Sequence, residues 1–231
     1  MRVSIYQPLY MPPVHYFNRM LGSDVFVLLD SAQFTRSARY RNTMTIKGRG
    51  GISTMSVPIT HTGKRERIVD LMVDDKQAWQ RKHYAALYHS YCKTDAWKGK
   101  EGEFLEGFYR VPRKHFREVY EPALDWGVEM VGGWGSTTRI RSSELNIRGN
   151  NDPSGWMLDI CKHFGADEYL CGGSSALYLN EKAFESAGIK VVVQDWICCE
   201  YPQRKAPFTP NLSILDLIMN VPEEDRRGLL L

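Results

Sequence analysis

The chain has 231 residues, 43% hydrophobic and 25% charged, which excludes a disordered chain and suits one domain with a sizeable core. Thirty basic against twenty-seven acidic residues leave a formal charge of +3, too little for general attraction to nucleic acid, and duplex binding is not expected. No apolar run reaches bilayer-spanning length and the opening MRVSIYQP is no secretory signal, so the expected compartment is the cytoplasm, with no membrane partner. Five cysteines without a C-x-x-C pair argue against both a disulfide framework and a zinc site, and no metal is expected.

Residues 2–6 (RVSIY) read as a short strand, Met11 to Leu21 as a helix entered through Pro12 and Pro13, and 24–30 (DVFVLLD) as a nearly continuous apolar strand. Strand, short helix and buried strand open a parallel α/β sheet. Thr43 to Lys47 and Ile52 to Pro58 flank a Gly-rich turn, a hairpin signal that predicts an antiparallel extension of that sheet. From about 75 to 135 the texture is helical: Trp79, His83, Ala86, Leu87 and Tyr91 recur at helical spacing, and later helices break near Pro112. Thr138 to Ile140 reads as a strand, Asp152 and Pro153 as the cap and first position of a helix to about Phe164, and Glu168 to Leu170 as a strand. A Gly-Gly loop, a helix over 180–187, a strand over 190–194 and a last helix from Ser213 complete the chain, and Cys198 and Cys199 fall in a strand-like run with side chains on opposite faces. The predicted architecture is one α/β domain with a Rossmann-like, mostly parallel sheet, its core at about 1–70 and 140–231, and a helical insertion at about 75–135.

Ligands of such sheets bind at the loops beyond the strands' carboxyl ends. The candidate loops are therefore 7–15, 30–42, 142–152 and 171–178. In the first, Gln7, His15 and Tyr16 are more polar than a plain turn requires, beside a helix start suited to an anion; the alternative is a turn held by prolines. In the second, Asp30 can orient an amine, hold a metal or pair with Arg36, Arg39 or Arg41, or simply close an Asx turn. Tyr40, Arg41 and Asn42 form a basic and amide cluster suited to an anionic group, though such loops are commonly solvated surface. His83 reads first as a satisfied buried residue and second as a proton carrier. Ser142, Ser143 and Glu144, and likewise Cys171, Gly172, Gly173, Ser174 and Ser175, have the small, hydroxyl-rich texture of an anion-binding loop. Cys171 is either a packing residue at a tight turn or an exposed thiol with lowered pKa.

Four stretches resemble the WbqC-like family, whose members open with a strand and QP-x-Y-L-P-W-x-G-Y-F. Gln7, Pro8, Tyr10, Pro12, Tyr16 and Phe17 stand in the matching places. Asp24 to Asp30 with Gln33, Phe34, Arg41 and Asn42 is similar to the family's DVFVFLDDVQF and following R-N. Trp79 to His83 with Tyr91, and Ser142 to Leu145, form the third stretch. The fourth runs from Tyr169, Leu170 and Gly172 through Tyr178, Leu179, Phe184, Gly188, Ile189, Tyr201 and Gln203 to FTPNLSILDLIMN (208–220). The chain departs from the family where Pro13-Val14-His15 replaces Trp-x-Gly, and where Cys171 replaces the serine before the glycine pair. A weaker resemblance in texture links the opening loop, Gln33-Phe34 and Ser174, Ser175 and Tyr178 to pantothenate synthetase and its nucleotidyltransferase-like relatives, without their H-x-G-H signature.

The first resemblance implies a biosynthetic protein of O-antigen, other surface-sugar or small-molecule pathways that transfers an acyl or aminoacyl group from an activated donor, which a carrier could hold, to a small-molecule amine acceptor. In that reading Asp30 or His83 is the base or amine holder, Ser142, Ser143 and backbone N–H groups stabilise the oxyanion, Arg41 anchors an anion and Cys171 carries the acyl group. The second resemblance implies ATP with magnesium in a nucleotidyl-transfer or ligase reaction. A non-catalytic protein that binds a sugar nucleotide or a partner is the third alternative.

Overall fold

The first two strands of the chain pair at the middle of a sheet whose other strands are added outward from them. The structure is a computed structural model and describes residues 1–34, 41–48, 50–60, 66–147, 149, 152–204 and 206–231. Arg36, Arg39 and Tyr40 lie outside the described residues. In chain order come β1 (Arg2–Tyr6), α1 (Val14–Leu21), β2 (Val25–Leu28), β3 (Thr43–Gly48) and β4 (Gly51–Ser56). Four helices follow: α2 (Trp79–Tyr91), α3 (Asp95–Lys98), α4 (Lys100–Arg110) and α5 (Arg117–Met130). The rest is β5 (Thr138–Arg141), α6 (Pro153–His163), β6 (Glu168–Cys171), α7 (Gly173–Ala176), α8 (Glu181–Ser186), β7 (Lys190–Val193), α9 (Ile214–Asn220) and α10 (Glu223–Arg226).

The order across the main sheet is β5-β2-β1-β6-β7, and every neighbouring pair is parallel. Val3 lies opposite Val25 on one side and Tyr169 on the other. Each parallel step needs a crossover, and the crossovers cover both faces of the middle strands. All four residues of β2 are therefore buried, while the edge strand β7 is only partly covered. The chain builds outward from β1 to β2 and β5, then returns to the other side of β1 to lay down β6 and β7. Succession thus reverses between β1 and β6, and a crevice opens there at the strands' carboxyl ends.

Two expectations are corrected. The hairpin of β3 and β4 is a separate two-stranded antiparallel sheet, not an extension of the main one. Its buried residues Met44, Ile46 and Met55 need apolar cover, and β3 finds it against α2 and α9, so no pairing with a sheet edge is required. Cys198 and Cys199 lie in a stretch without strand structure.

Pro122 sits inside α5 and cannot donate to the carbonyl four residues earlier, which belongs to Glu118. Arg113 Nη1 donates to that oxygen at 2.8 Å, so the orphaned acceptor is satisfied. The opening loop between β1 and α1 is held by the far end of the chain. Val14 N–H donates to Leu212 O at 3.1 Å, Ile214 N–H to Pro12 O at 2.8 Å, and Ser213 Oγ to Met11 O at 2.8 Å. Met11 is fully buried with φ of 45°, a left-handed backbone that a non-glycine residue holds only when its surroundings impose it.

Candidate functional site

Since β1, β2, β5 and β6 are parallel, the loops that follow them leave one edge of the sheet, and these loops carry Gln7, Asp30, Ser142–Ser143 and Gly172. The register Leu28↔Arg141 places Asp30 two residues past β2 beside Ser142 and Ser143, just past β5. The Asp30 carboxylate is fully buried. Its Oδ1 accepts from Ser142 Oγ at 3.0 Å and Ser143 N–H at 2.8 Å, and its Oδ2 accepts from Ser143 Oγ at 2.7 Å. Ser142 Oγ also accepts from Ser31 N–H at 3.1 Å and shares a 2.7 Å hydrogen bond with the Ser31 hydroxyl. Three charge-assisted hydrogen bonds make it feasible to keep a carboxylate in a dry place. Ser142 is buried beside it and Ser143 is exposed, and both line a cavity of about 600 Å³ with Ser31, Gln33, Arg67 and Trp156.

A second cavity, about 240 Å³, opens above β1 and β6, where strand succession reverses. Gln7, Arg19, Arg41, Ser174, Ser175 and Tyr178 line it. The two cavities are neighbours. Arg41 of the smaller one donates through Nη1 to the Gln33 carbonyl at 3.4 Å, and Gln33 lines the larger; consecutive residues of α6, Trp156 and Met157, face one each. Burial lowers the pKa of the Arg41 guanidinium.

Arg19 is the residue that sequence reasoning missed. It lies on α1 with 6% of its surface exposed. Its Nε and Nη2 both donate to Gln194 Oε1, at 3.0 and 2.7 Å, and its Cζ lies 4.5 Å from the centre of the Tyr6 ring. Among the described residues it pairs with no carboxylate, and burial lowers its pKa. A Cβ added to Gly172 would come within 3.1 Å of its Cζ, so glycine is required for the β6 loop to pass over the guanidinium. The available signal was an arginine among the hydrophobic residues of a short, buried helix.

Of the expected site residues, Gln7, Asp30, Gln33, Arg41, Ser142, Ser143, Gly172 and Tyr178 share this edge. Gly173 begins α7 and is exposed. The rest do not reach the cavities as expected. Cys171 is fully buried at the end of β6 and burial raises its thiol pKa, opposite to an exposed, activated thiol, because the strand end lies under the sheet's cover. Tyr16 is fully buried against Tyr6 and Phe26, and its hydroxyl has no hydrogen-bond partner, so it packs where a ligand contact was expected. His83 is buried, shares a 3.1 Å hydrogen bond with the Tyr10 hydroxyl, and has its pKa lowered to about 4 by burial. It holds the turn after β1 from below. His15 lines a different recess, near Asn211, and its pKa is lowered by burial and by Arg19. Asn42 Nδ2 donates to Val57 O at 2.8 Å, joining the ends of the hairpin. Glu144 is exposed and ion-paired to Arg141.

Comparison with known proteins settles the family. The sequence profile of the WbqC-like protein family matches residues 7–228. The chain belongs to the WbqC-like family. The uncharacterized protein Rv1507c of Mycobacterium tuberculosis (strain ATCC 25618 / H37Rv) is 26% identical over 226 residues, 96% of this chain and 95% of that protein. No solved structure matches significantly. WbqC-like proteins are associated with biosynthetic pathways. Among the described residues no helix is long and apolar enough to cross a membrane, and no group of three or more His, Cys, Asp or Glu side chains could hold a metal ion.

Proposed function

We propose that this WbqC-like chain is an amide-forming transferase that moves an acyl or aminoacyl group from an activated ester to a small amine, with Asp30 and Ser143 as the proton-handling pair. The supporting observation is a fully buried carboxylate that grips an exposed serine hydroxyl at 2.7 Å on a cavity wall. The Ser143 N–H and the Ser142 hydroxyl both point at Asp30, so they serve the base and are not the oxyanion donors. The Gln33 side-chain amide, exposed in the same cavity, takes that role.

The chemistry follows from these positions. The amine lone pair adds to the acyl carbon, and the carbonyl electron pair moves onto oxygen. Collapse breaks the bond between the acyl carbon and the donor's sulfur or oxygen. The amine's proton passes to Ser143 Oγ as the Ser143 proton passes to Asp30, and from there to the departing thiolate or alkoxide. His83 and Cys171 take no part.

The test is mass spectrometry of acyl and aminoacyl thioesters incubated with amino sugars and the protein. Amide product is expected with the wild type, and a loss of about 10²–10⁴-fold in rate with Asp30→Asn or Ser143→Ala. Donor and acceptor that bind without forming amide would make the chain a binding protein and overturn the reading. A second reading, carboxylate activation by ATP, draws on the cationic cavity above β1 and β6; it requires pyrophosphate or ADP to appear with the product.

A further inference from the structure

Arginine is among the residues least often buried without a partner, because an unpaired cation in a dry place costs several kcal/mol of desolvation. Arg19 has 6% of its surface exposed, and among the described residues its charge is met only by an amide oxygen and the face of a tyrosine ring. Those contacts spread the charge and orient the fork; they do not neutralise it. Of its five N–H donors, the two on Nη1 and the second on Nη2 make no hydrogen bond among the described residues.

We propose that Arg19 is the buried anchor for a phosphoryl group of the substrate, held in the cavity above β1 and β6 with Arg41 and the hydroxyls of Ser174 and Ser175. All four residues line that one cavity. Neither serine hydroxyl is engaged among the described residues. Gln194 locks the guanidinium from behind: its Nε2 donates to His15 O at 2.9 Å and to Asn18 Oδ1 at 2.5 Å, so the oxygen that Arg19 uses cannot swing away. The cavity holds about 240 Å³, several times the ~30 Å³ that a water molecule takes in the liquid. Two guanidiniums and two hydroxyl donors match a dianion with oxygens on several sides. Its place at the reversal of strand succession is where open parallel sheets take ligands. The inference leans on the transferase reading for one point only, that the phosphoryl group belongs to the activated donor while the amine enters the neighbouring cavity.

Titration calorimetry of the whole chain with inorganic phosphate and with pyrophosphate, at matched ionic strength, tests the site directly. Saturable binding is expected, and acetate is expected to bind at least about tenfold more weakly, because a bidentate monoanion satisfies one fork and not two. Arg19→Met is expected to lose phosphate affinity by at least about tenfold while melting no lower than the wild type, since it removes a charge without a counter-charge. Should that variant fail to fold, Gln194→Glu supplies the missing carboxylate from within and is expected to displace phosphate to the same degree. Asp30→Asn separates the two readings: it slows amide formation by about 10²–10⁴-fold and leaves phosphate binding intact. Further titrations with a nucleoside triphosphate and a sugar phosphate tell the source of the phosphoryl group. Wild-type protein that ignores phosphate and pyrophosphate, equal binding of acetate, or full phosphate affinity in both Arg19→Met and Gln194→Glu overturns the proposal.

Discussion

Two buried guanidiniums in this chain face the same physical problem and solve it differently. Arg226, on α10, is 2% exposed and spends all three nitrogens inside the protein: Nη2 on Glu101 Oε1 at 2.7 Å, Nε on Val221 O at 2.9 Å and Nη1 on Met130 O at 3.2 Å. Arg19 is nearly as buried, yet it crowds two nitrogens onto one amide oxygen, leaves Nη1 without a hydrogen bond among the described residues, and lines a cavity. A guanidinium whose charge is answered by the chain itself joins elements together. One whose charge goes unanswered is kept at a cost to stability, and the cavity beside it indicates why.

The largest expected effect comes from making Arg226 resemble Arg19. Glu101→Ala leaves Arg226 buried without a counter-charge, and urea unfolding is expected to show a loss of about 3–5 kcal/mol. Adding Arg226→Met to that variant recovers part of the loss; a double variant as unstable as the single one would mean that packing, not charge, dominates there.

His83 extends the comparison to a buried base that escapes the problem by staying neutral. Its folded pKa is about 4 against an unperturbed 6.5, with burial as the main cause. The unfolded chain therefore takes up the proton that the folded chain refuses. Stability is fully present above pH 6.5, falls as pH drops toward about 4 and levels off below, a loss of roughly 3 kcal/mol from this group. His83→Asn removes that part of the slope. Unfolding free energies measured across the same pH range would sink the assignment if variant and wild type ran parallel.

Tyr16 gives the smallest effect, because its buried hydroxyl is neutral as well as unpartnered. Tyr16→Phe is expected to leave stability unchanged or raise it by up to about 1 kcal/mol in thermal melts. A clear destabilisation would show that the hydroxyl has a partner, such as a trapped water.

The inner strands were legible in the sequence because they are short, largely apolar and bounded by breakers: strands form at RVSIY, within DVFVLLD and at EYL. The hairpin's two strands were legible for the same reason, but its neighbours were not, since alternation marks a buried face without naming what covers it. Asp30, Ser142 and Ser143 could be picked out as polar residues just past apolar strands. Their hydrogen bonds could not, because the pairing of β2 with β5 joins segments more than a hundred residues apart. Burial was the hardest quantity to read. Cys171 at a strand end and Tyr16 in a helix's first turn look open in one dimension and are roofed in three, and Arg19 in HYFNRML was not singled out at all.

The clamp on the opening loop has a bearing on how the molecule comes into being. Met11, Pro12 and Val14 take their fixed positions from Leu212, Ser213 and Ile214, which the ribosome delivers some two hundred residues later. The loop after β1 therefore acquires its final shape only once a segment some two hundred residues further on is in place. A polypeptide cut just ahead of Leu212 would keep every candidate residue in both cavities and lose the brace that aligns the turn above β1.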